Sequence, residues 1–179
     1  PQMGLFDAVN HAFTAMSTGG FSTKDASVGA YDNVAIELLL SLFMIIAGVN
    51  FGLYYAMLRD WTLRVFVRST EFKVYIGLCV AAFLALTFFN WQALAGEAAE
   101  HASLWQSMRS AIFMTATTIT STGYGTDSPQ WTPMGNDLPW PGPALMVILL
   151  LMFVGGSAGS TAGGIKVARL VLLLRTAWG

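Results

Sequence analysis

Charge is what this chain has least of. Only 11% of its 179 residues are Asp, Glu, Lys or Arg, against roughly a quarter in an average soluble domain. With 55% of residues hydrophobic, an ordinary water-soluble domain is excluded, and so is disorder, because a chain this apolar collapses rather than staying solvated. Nine basic and ten acidic residues leave a formal net charge of −1, too little positive field to hold nucleic acid. Cysteine is nearly absent: Cys79, inside an apolar run, is the single one, so neither a disulfide framework nor a cysteine metal site is available. Histidine is limited to His11 and His101.

Long apolar runs are what the chain has instead. Residues 34–58 carry one charge, Glu37, and residues 74–95 carry none. Each is long enough to cross a bilayer as a helix, which takes roughly 20 apolar residues. A third apolar region, 143–154, is interrupted and resumes over 165–178, and only the two halves together reach that length. Residues 3–16 and 104–119 are shorter and only moderately apolar, which suits re-entrant or buried helices. The expected fold is all-α and integral to a membrane, built of tandem helix, pore-loop, helix units with the last transmembrane helix broken. Residues 1–58 form one unit and 59–73 a link. Residues 74–179 form a second unit, with a pore helix at 104–119, a loop at 120–126 and a broken helix at 143–178. Pro1 falls inside a helical pattern, so the sequence reads as part of a longer protein.

The few charges are sorted by side. Arg59, Arg64, Arg68 and Lys73 lie in the link, and Lys166, Arg169 and Arg175 follow the break in the last helix, which accounts for seven of the nine basic residues. The positive-inside rule therefore makes 59–73 cytoplasmic. The opposite face has Lys24 and Arg109 beside Asp7, Asp25, Asp32, Glu37, Glu97, Glu100, Asp127 and Asp137. Those acids either concentrate cations near the surface or are ordinary solvated loop residues.

Glycine is in excess, with 18 residues, and it is clustered. Sliding the sequence against itself by 104 residues lays Ser17-Thr18-Gly19 on Ser121-Thr122-Gly123 and sets Asn33 opposite Asp137. Each triplet follows a short amphipathic segment and precedes a polar turn and a long apolar helix. Irregular backbone at membrane depth is tolerated where it is buried in protein or lines a polar cavity. A run of carbonyls facing such a cavity can replace the hydration shell of a cation. Glycine permits the required backbone, and Ser or Thr hydroxyls add oxygen ligands. Ser121-Thr122-Gly123-Tyr124-Gly125 is close to the T-V-G-Y-G filter of potassium channels. A single such triplet is more simply a turn or a helix cap; two in equivalent places favour a selectivity filter made of Ser17, Thr18, Gly19, Gly20, Ser121, Thr122, Gly123 and Tyr124.

The break in the last helix reads Gly155-Gly156-Ser157-Ala158-Gly159-Ser160-Thr161-Ala162-Gly163-Gly164. It contains the G-x-S-x-G pattern of serine hydrolases, which leaves an intramembrane serine protease as a minor alternative. Gly155 and Gly159 also have the G-x-x-x-G spacing of a helix-packing surface. Ten consecutive Gly, Ser, Ala and Thr residues make a poor helix, which favours an unwound loop beneath the filter that obstructs the path and moves as a gate. A phosphate-binding loop is excluded, because Lys166 follows Ile165 rather than glycine.

Four segments resemble the ion-translocating subunit of the Trk/Ktr/HKT potassium-transport superfamily, closest to the bacterial Trk type: Ala15 to Thr23, Ala47-Gly48-Val49-Asn50-Phe51, Thr120 to Tyr124, and Gly155 to Val167. The resemblance implies four tandem repeats around one pore, of which this chain looks like the second half of the second and all of the third. It implies potassium as the transported ion, no covalent cofactor and no enzymatic activity. It also implies a multi-pass inner-membrane location with the filter loops outside, a homodimer, and a cytoplasmic nucleotide-binding regulatory subunit. Carried over, it places potassium at Thr18, Gly19, Thr122 and Gly123, and makes residues 155–164 the gating loop with Lys166 at its cytoplasmic edge. A tetrameric potassium-channel subunit is the alternative within transport, since residues 72–175 alone form helix, pore loop, helix.

Overall fold

In the computed structural model, the described residues are 3–97, 104–126 and 140–178, and most of them are helical. In chain order the helices are α1 (Leu5–Met16), α2 (Val34–Ala47), α3 (Phe51–Asp60), α4 (Arg64–Arg68), α5 (Thr70–Glu97), α6 (Leu104–Ile119), α7 (Gly142–Phe153) and α8 (Val167–Trp178), with a short 3-10 turn at Ser27–Tyr31. The two short amphipathic segments become α1 and α6, and the uncharged run becomes α5. The apolar stretch of α5 at Thr70–Ala93 is long and apolar enough to cross a membrane.

The run 34–58, expected as one span, is two helices that meet at 86°. Two residues account for the break. Asn50 caps α3 by accepting the Gly52 N–H at 2.8 Å, and a Cβ on Gly48 would lie 2.2 Å from the Tyr75 hydroxyl. The carbonyls stranded at the end of α2 are then met by other parts of the chain. Tyr75 donates to Ile45 O at 3.1 Å and Tyr54 to Ile46 O at 2.8 Å. Thr161 Oγ1 reaches Ala47 O at 3.3 Å, and the Ser157 N–H donates to Gly48 O at 2.9 Å. An unsatisfied buried carbonyl costs on the order of 1–3 kcal/mol, so this set of partners is what permits a helix to end here.

Helix α6 is the hub. It packs on α2, α5 and α7, while α1 packs on α2, and α5 also meets α7 and α8. One apolar cluster joins Ala15, Val28, Leu40, Met44, Phe113, Ala116 and Tyr124, and a second joins Val49, Tyr75, Cys79, Ala82, Ile119, Leu151 and Val167. The outward faces are also apolar: Leu39, Leu42 and Phe43 on α2, Val80, Leu84 and Phe88 on α5, and Leu149, Leu150 and Phe153 on α7 are all exposed in the isolated chain. Contiguous exposed apolar surface of this kind requires lipid or further protein against it.

The acids expected on one face are less free than their number suggests. Arg109 on α6 forms a two-pronged bond to Glu37 on α2, with Nε–Oε2 at 2.6 Å and Nη2–Oε1 at 2.7 Å, and it also reaches Asp32 at 3.4 Å. Arg109 is 7% exposed and Glu37 3%. Asp7 pairs with Thr23 at 2.7 Å and Lys24 at 3.7 Å. Glu37, Asp32 and Asp7 are therefore held in place rather than being solvated loop charges. Glu100, Asp127 and Asp137 lie outside the described residues.

Replacing Arg109 with Met leaves the Glu37 carboxylate buried without its guanidinium and is expected to cost about 3–5 kcal/mol, most of it recovered in the double variant E37L/R109M. Thermal unfolding in detergent checks this, and an R109M protein that melts together with the native one contradicts it.

Candidate functional site

Helices α1 and α6 end in the same way. After α1 the Thr18 N–H donates to Ala15 O at 3.2 Å and the Gly19 N–H to Thr14 O at 2.8 Å. After α6 the Ser121 N–H donates to Thr118 O at 3.0 Å and the Thr122 N–H to Thr117 O at 2.9 Å. Thr18 and Gly20 have φ of +51° and +66°, and Ser121 and Gly123 have +56° and +87°. Thr14 Oγ1 holds Phe21 O at 2.9 Å, and Thr117 Oγ1 holds Tyr124 O at 3.1 Å. Every one of these pairs is separated by 103 positions, not 104. The repeat read from the Ser-Thr-Gly identity is thus off by one: Gly20, not Gly19, is the counterpart of Gly123, and Phe21 is the counterpart of Tyr124. Side chain and backbone decide the register here, and the three-letter identity does not.

The two loops touch. A Cβ on Gly20 would fall 1.9 Å from the Thr122 carbonyl oxygen, so this left-handed position admits glycine alone. Tyr124 crosses to the other repeat, where its hydroxyl donates to His11 O at 3.1 Å and meets Thr14 Oγ1, and its ring stacks on His11 at 5.7 Å. Tyr124 thus fastens one loop to the helix behind the other. Among the described residues, the carbonyl oxygens of Thr18, Gly19 and Gly20 and of their counterparts Ser121, Thr122 and Gly123 accept no hydrogen bond. The two threonine hydroxyls, expected to add ligands, are taken up within the protein. Thr18 Oγ1 lies 2.7 Å from Ser17 O and 2.9 Å from Thr161 O, and Thr122 Oγ1 lies 2.7 Å from Thr120 Oγ1. The backbone carbonyls are thus the oxygens of these loops that no donor among the described residues engages.

The glycine-rich segment between α7 and α8 is not helical, which removes the continuous helix-packing reading. It leaves and returns at one place, with Val154 bridged to Ile165, Gly155 N–H donating to Ile165 O at 3.0 Å and Ile165 N–H to Phe153 O at 2.9 Å. Its far part docks on both loops and on the α2–α3 break. Thr161 Oγ1 reaches Met16 O at 3.1 Å, the Phe51 N–H donates to Gly159 O at 3.0 Å, and Lys166 Nζ donates to Ala162 O. The Ser160 hydroxyl turns back to Ser157 O at 2.6 Å.

The hydrolase reading finds no support at Ser157. Its hydroxyl is buried and has no hydrogen-bond partner among the described residues. His11 has both ring nitrogens engaged elsewhere, with Asp7 O at 2.7 Å and Ser22 Oγ at 3.0 Å, and His101 lies outside the described residues. Three contributors went unnoticed in the sequence. Thr14 and Thr117 were legible as a pair once the offset of 103 is used. Glu71, whose carboxylate reaches the glycine-rich segment, had no signal beyond being an acid at the end of a basic link.

The family of TrkH cation transport proteins matches the chain over residues 2–177. The Trk system potassium uptake protein TrkH of Escherichia coli (strain K12) is 36% identical over 180 residues, which cover 97% of this chain and 33% of that protein. TrkG of the same organism is 30% identical over 173 residues, with the same coverage. The crystal structure of the potassium transporter TrkH from Vibrio parahaemolyticus aligns with a TM-score of 0.82 at 32% identity, covering 96% of this chain and 34% of that one. The chain thus spans about a third of the length of the relatives it matches.

The register makes a prediction about neighbouring glycines. Alanine at Gly20 meets a backbone oxygen at 1.9 Å, whereas alanine at Gly19 meets only side-chain atoms, the nearest at 3.2 Å. G20A is expected to destabilise by more than the roughly 1–2 kcal/mol of a left-handed residue alone, and G19A by much less. Equal melting temperatures for the two variants contradict the register.

Proposed function

The chain belongs to the TrkH family of cation transport proteins, and from that premise we propose that it supplies part of a potassium-uptake path through the inner membrane. The observation that carries this reading is the pair of adjoining loops whose six carbonyls accept no hydrogen bond from the described residues. Gly19, Ser121 and Gly123 are exposed in this chain, so the row is open to a ligand, and such carbonyls can replace the hydration shell of a cation. The relatives named above are potassium uptake proteins, and potassium is the substrate proposed here. Residues 17–20 and 121–124 act as filter segments, with Gly20 and Gly123 at equivalent depth. A pore needs further loops around these two, which on this reading the rest of a longer protein provides, together with the homodimer contact and the cytoplasmic regulatory subunit.

The basic link 59–73 faces the cytoplasm and the filter loops face outward, as the charge bias requires. Residues 155–164 then form a gate on the cytoplasmic side of the filter. Its support is that Thr18 bonds Thr161 O and Thr161 bonds Met16 O at the end of α1, so the loop lies directly against the first filter segment.

Two measurements test the proposal in the full-length protein. A φ of +87° at Gly123 strains any side chain, so G123S is expected to distort the loop and to lower the K⁺/Na⁺ flux ratio; an unchanged ratio contradicts the filter assignment. Deleting residues within 156–163 is expected to raise ion flux, and a deletion without effect on flux contradicts the gate.

A further inference from the structure

We infer that Glu71 is the positioning residue that latches the glycine-rich loop shut, an inference that rests on the gate reading above. Glu71 stands in the first turn of α5, at the end of the basic link. One of its carboxylate oxygens accepts the Ala158 backbone N–H at 2.5 Å, at the tip of the loop, and the other lies 3.4 Å from Asn50 Nδ2, the residue that caps α3. The Asn50 side-chain oxygen is committed to the Gly52 N–H, which fixes the amide so that its NH₂ faces Glu71. The carboxylate therefore ties three things together: the start of α5, the break between α2 and α3, and the tip of the loop.

The tip is otherwise tied to the α2–α3 break by backbone bonds, Ser157 N–H to Gly48 O at 2.9 Å and Phe51 N–H to Gly159 O at 3.0 Å. Glu71 is thus the one charged side chain that the described residues place on the tip. A charge-assisted bond from a carboxylate to an N–H is about twice as strong as a neutral one, and losing it shifts a two-state equilibrium by about 10- to 100-fold. Because Glu71 sits where the link enters α5, a displacement of the link draws the carboxylate away from Ala158 and releases the tip. Tyr75, one turn further along α5, holds Ile45 O, so the same helix end also steadies the seat on which the tip rests.

The test uses the full-length protein in vesicles, with ⁸⁶Rb⁺ flux as readout. E71A is expected to raise flux about 10-fold or more. E71Q, whose amide oxygen still accepts the Ala158 N–H, is expected to recover most of the native closure. In a protein lacking residues 156–163, E71A is expected to add nothing. A reporter S157C, buried in the closed loop, is expected to react faster with a thiol reagent when combined with E71A than alone. If the loop deletion raises flux and E71A does not, the latch is overturned while the gate stands. Equal leak from E71A and E71Q, or a further rise when E71A is added to the deletion, also overturns the latch. If the deletion itself leaves flux unchanged, the gate reading falls first.

Discussion

A helix that stops inside an apolar protein strands its last carbonyls, and the whole arrangement described here turns on which of those carbonyls are met by the protein and which are left. At the end of α2 all are met, by Tyr75, Tyr54, Thr161 and Ser157. Beyond α1 and α6 the helix-terminal carbonyls of Thr14 and Thr117 take the Gly19 and Thr122 N–H groups, but those of Thr18–Gly20 and Ser121–Gly123 take none from the described residues. The first pattern closes a helix end, and the second leaves a row of oxygens without a donor among the described residues, the row proposed above to meet a cation. Both occur within one small volume because the glycine-rich loop supplies the partners for the first and abuts the second.

This contrast also explains how the parts depend on one another. The left-handed residues that turn the carbonyls outward are strained for any side chain, so the turn must be held from outside. Thr14 and Thr117 hold the chain beyond it, and Tyr124 pins one loop to the helix behind the other. The Arg109–Glu37 pair fixes α6 against α2 with two short bonds, where a buried ion pair gives registry more than net stability. The arrangement is thus a set of cross-repeat contacts rather than two independent hairpins.

Much of the fold was readable because it rests on apolar length. The α5 span, α6 over 104–119 and the interruption in the last helix follow from hydropathy and from the glycine run. The break at Gly48–Asn50 was harder. A 3.6-residue apolar pattern continues through it, and the clues, a Gly and a capping Asn two residues apart, are too local to outweigh 25 apolar residues. Irregular loops do follow α1 and α6 at the Ser-Thr-Gly clusters, but the register between them is not the one the letters suggest. Ser17-Thr18-Gly19 matches Ser121-Thr122-Gly123 letter for letter, while backbone geometry follows the threonine at the end of each helix and the aromatic residue after the glycine. Glu37 and Arg109 looked like surface charges because their partners are distant in sequence. Glu71 was invisible for the same reason.

The central claim is that free backbone carbonyls, not hydroxyls, meet the ion at equivalent depth in both loops. Anomalous diffraction from crystals of the full-length protein grown with Rb⁺ or Tl⁺ tests it most directly. The account predicts a peak in contact with the carbonyls of the Thr18–Gly20 and Ser121–Gly123 segments, flanked by Gly20 and Gly123 together. A peak held only by the Thr18 and Thr122 hydroxyls, or none between these loops in a conducting protein, would contradict it.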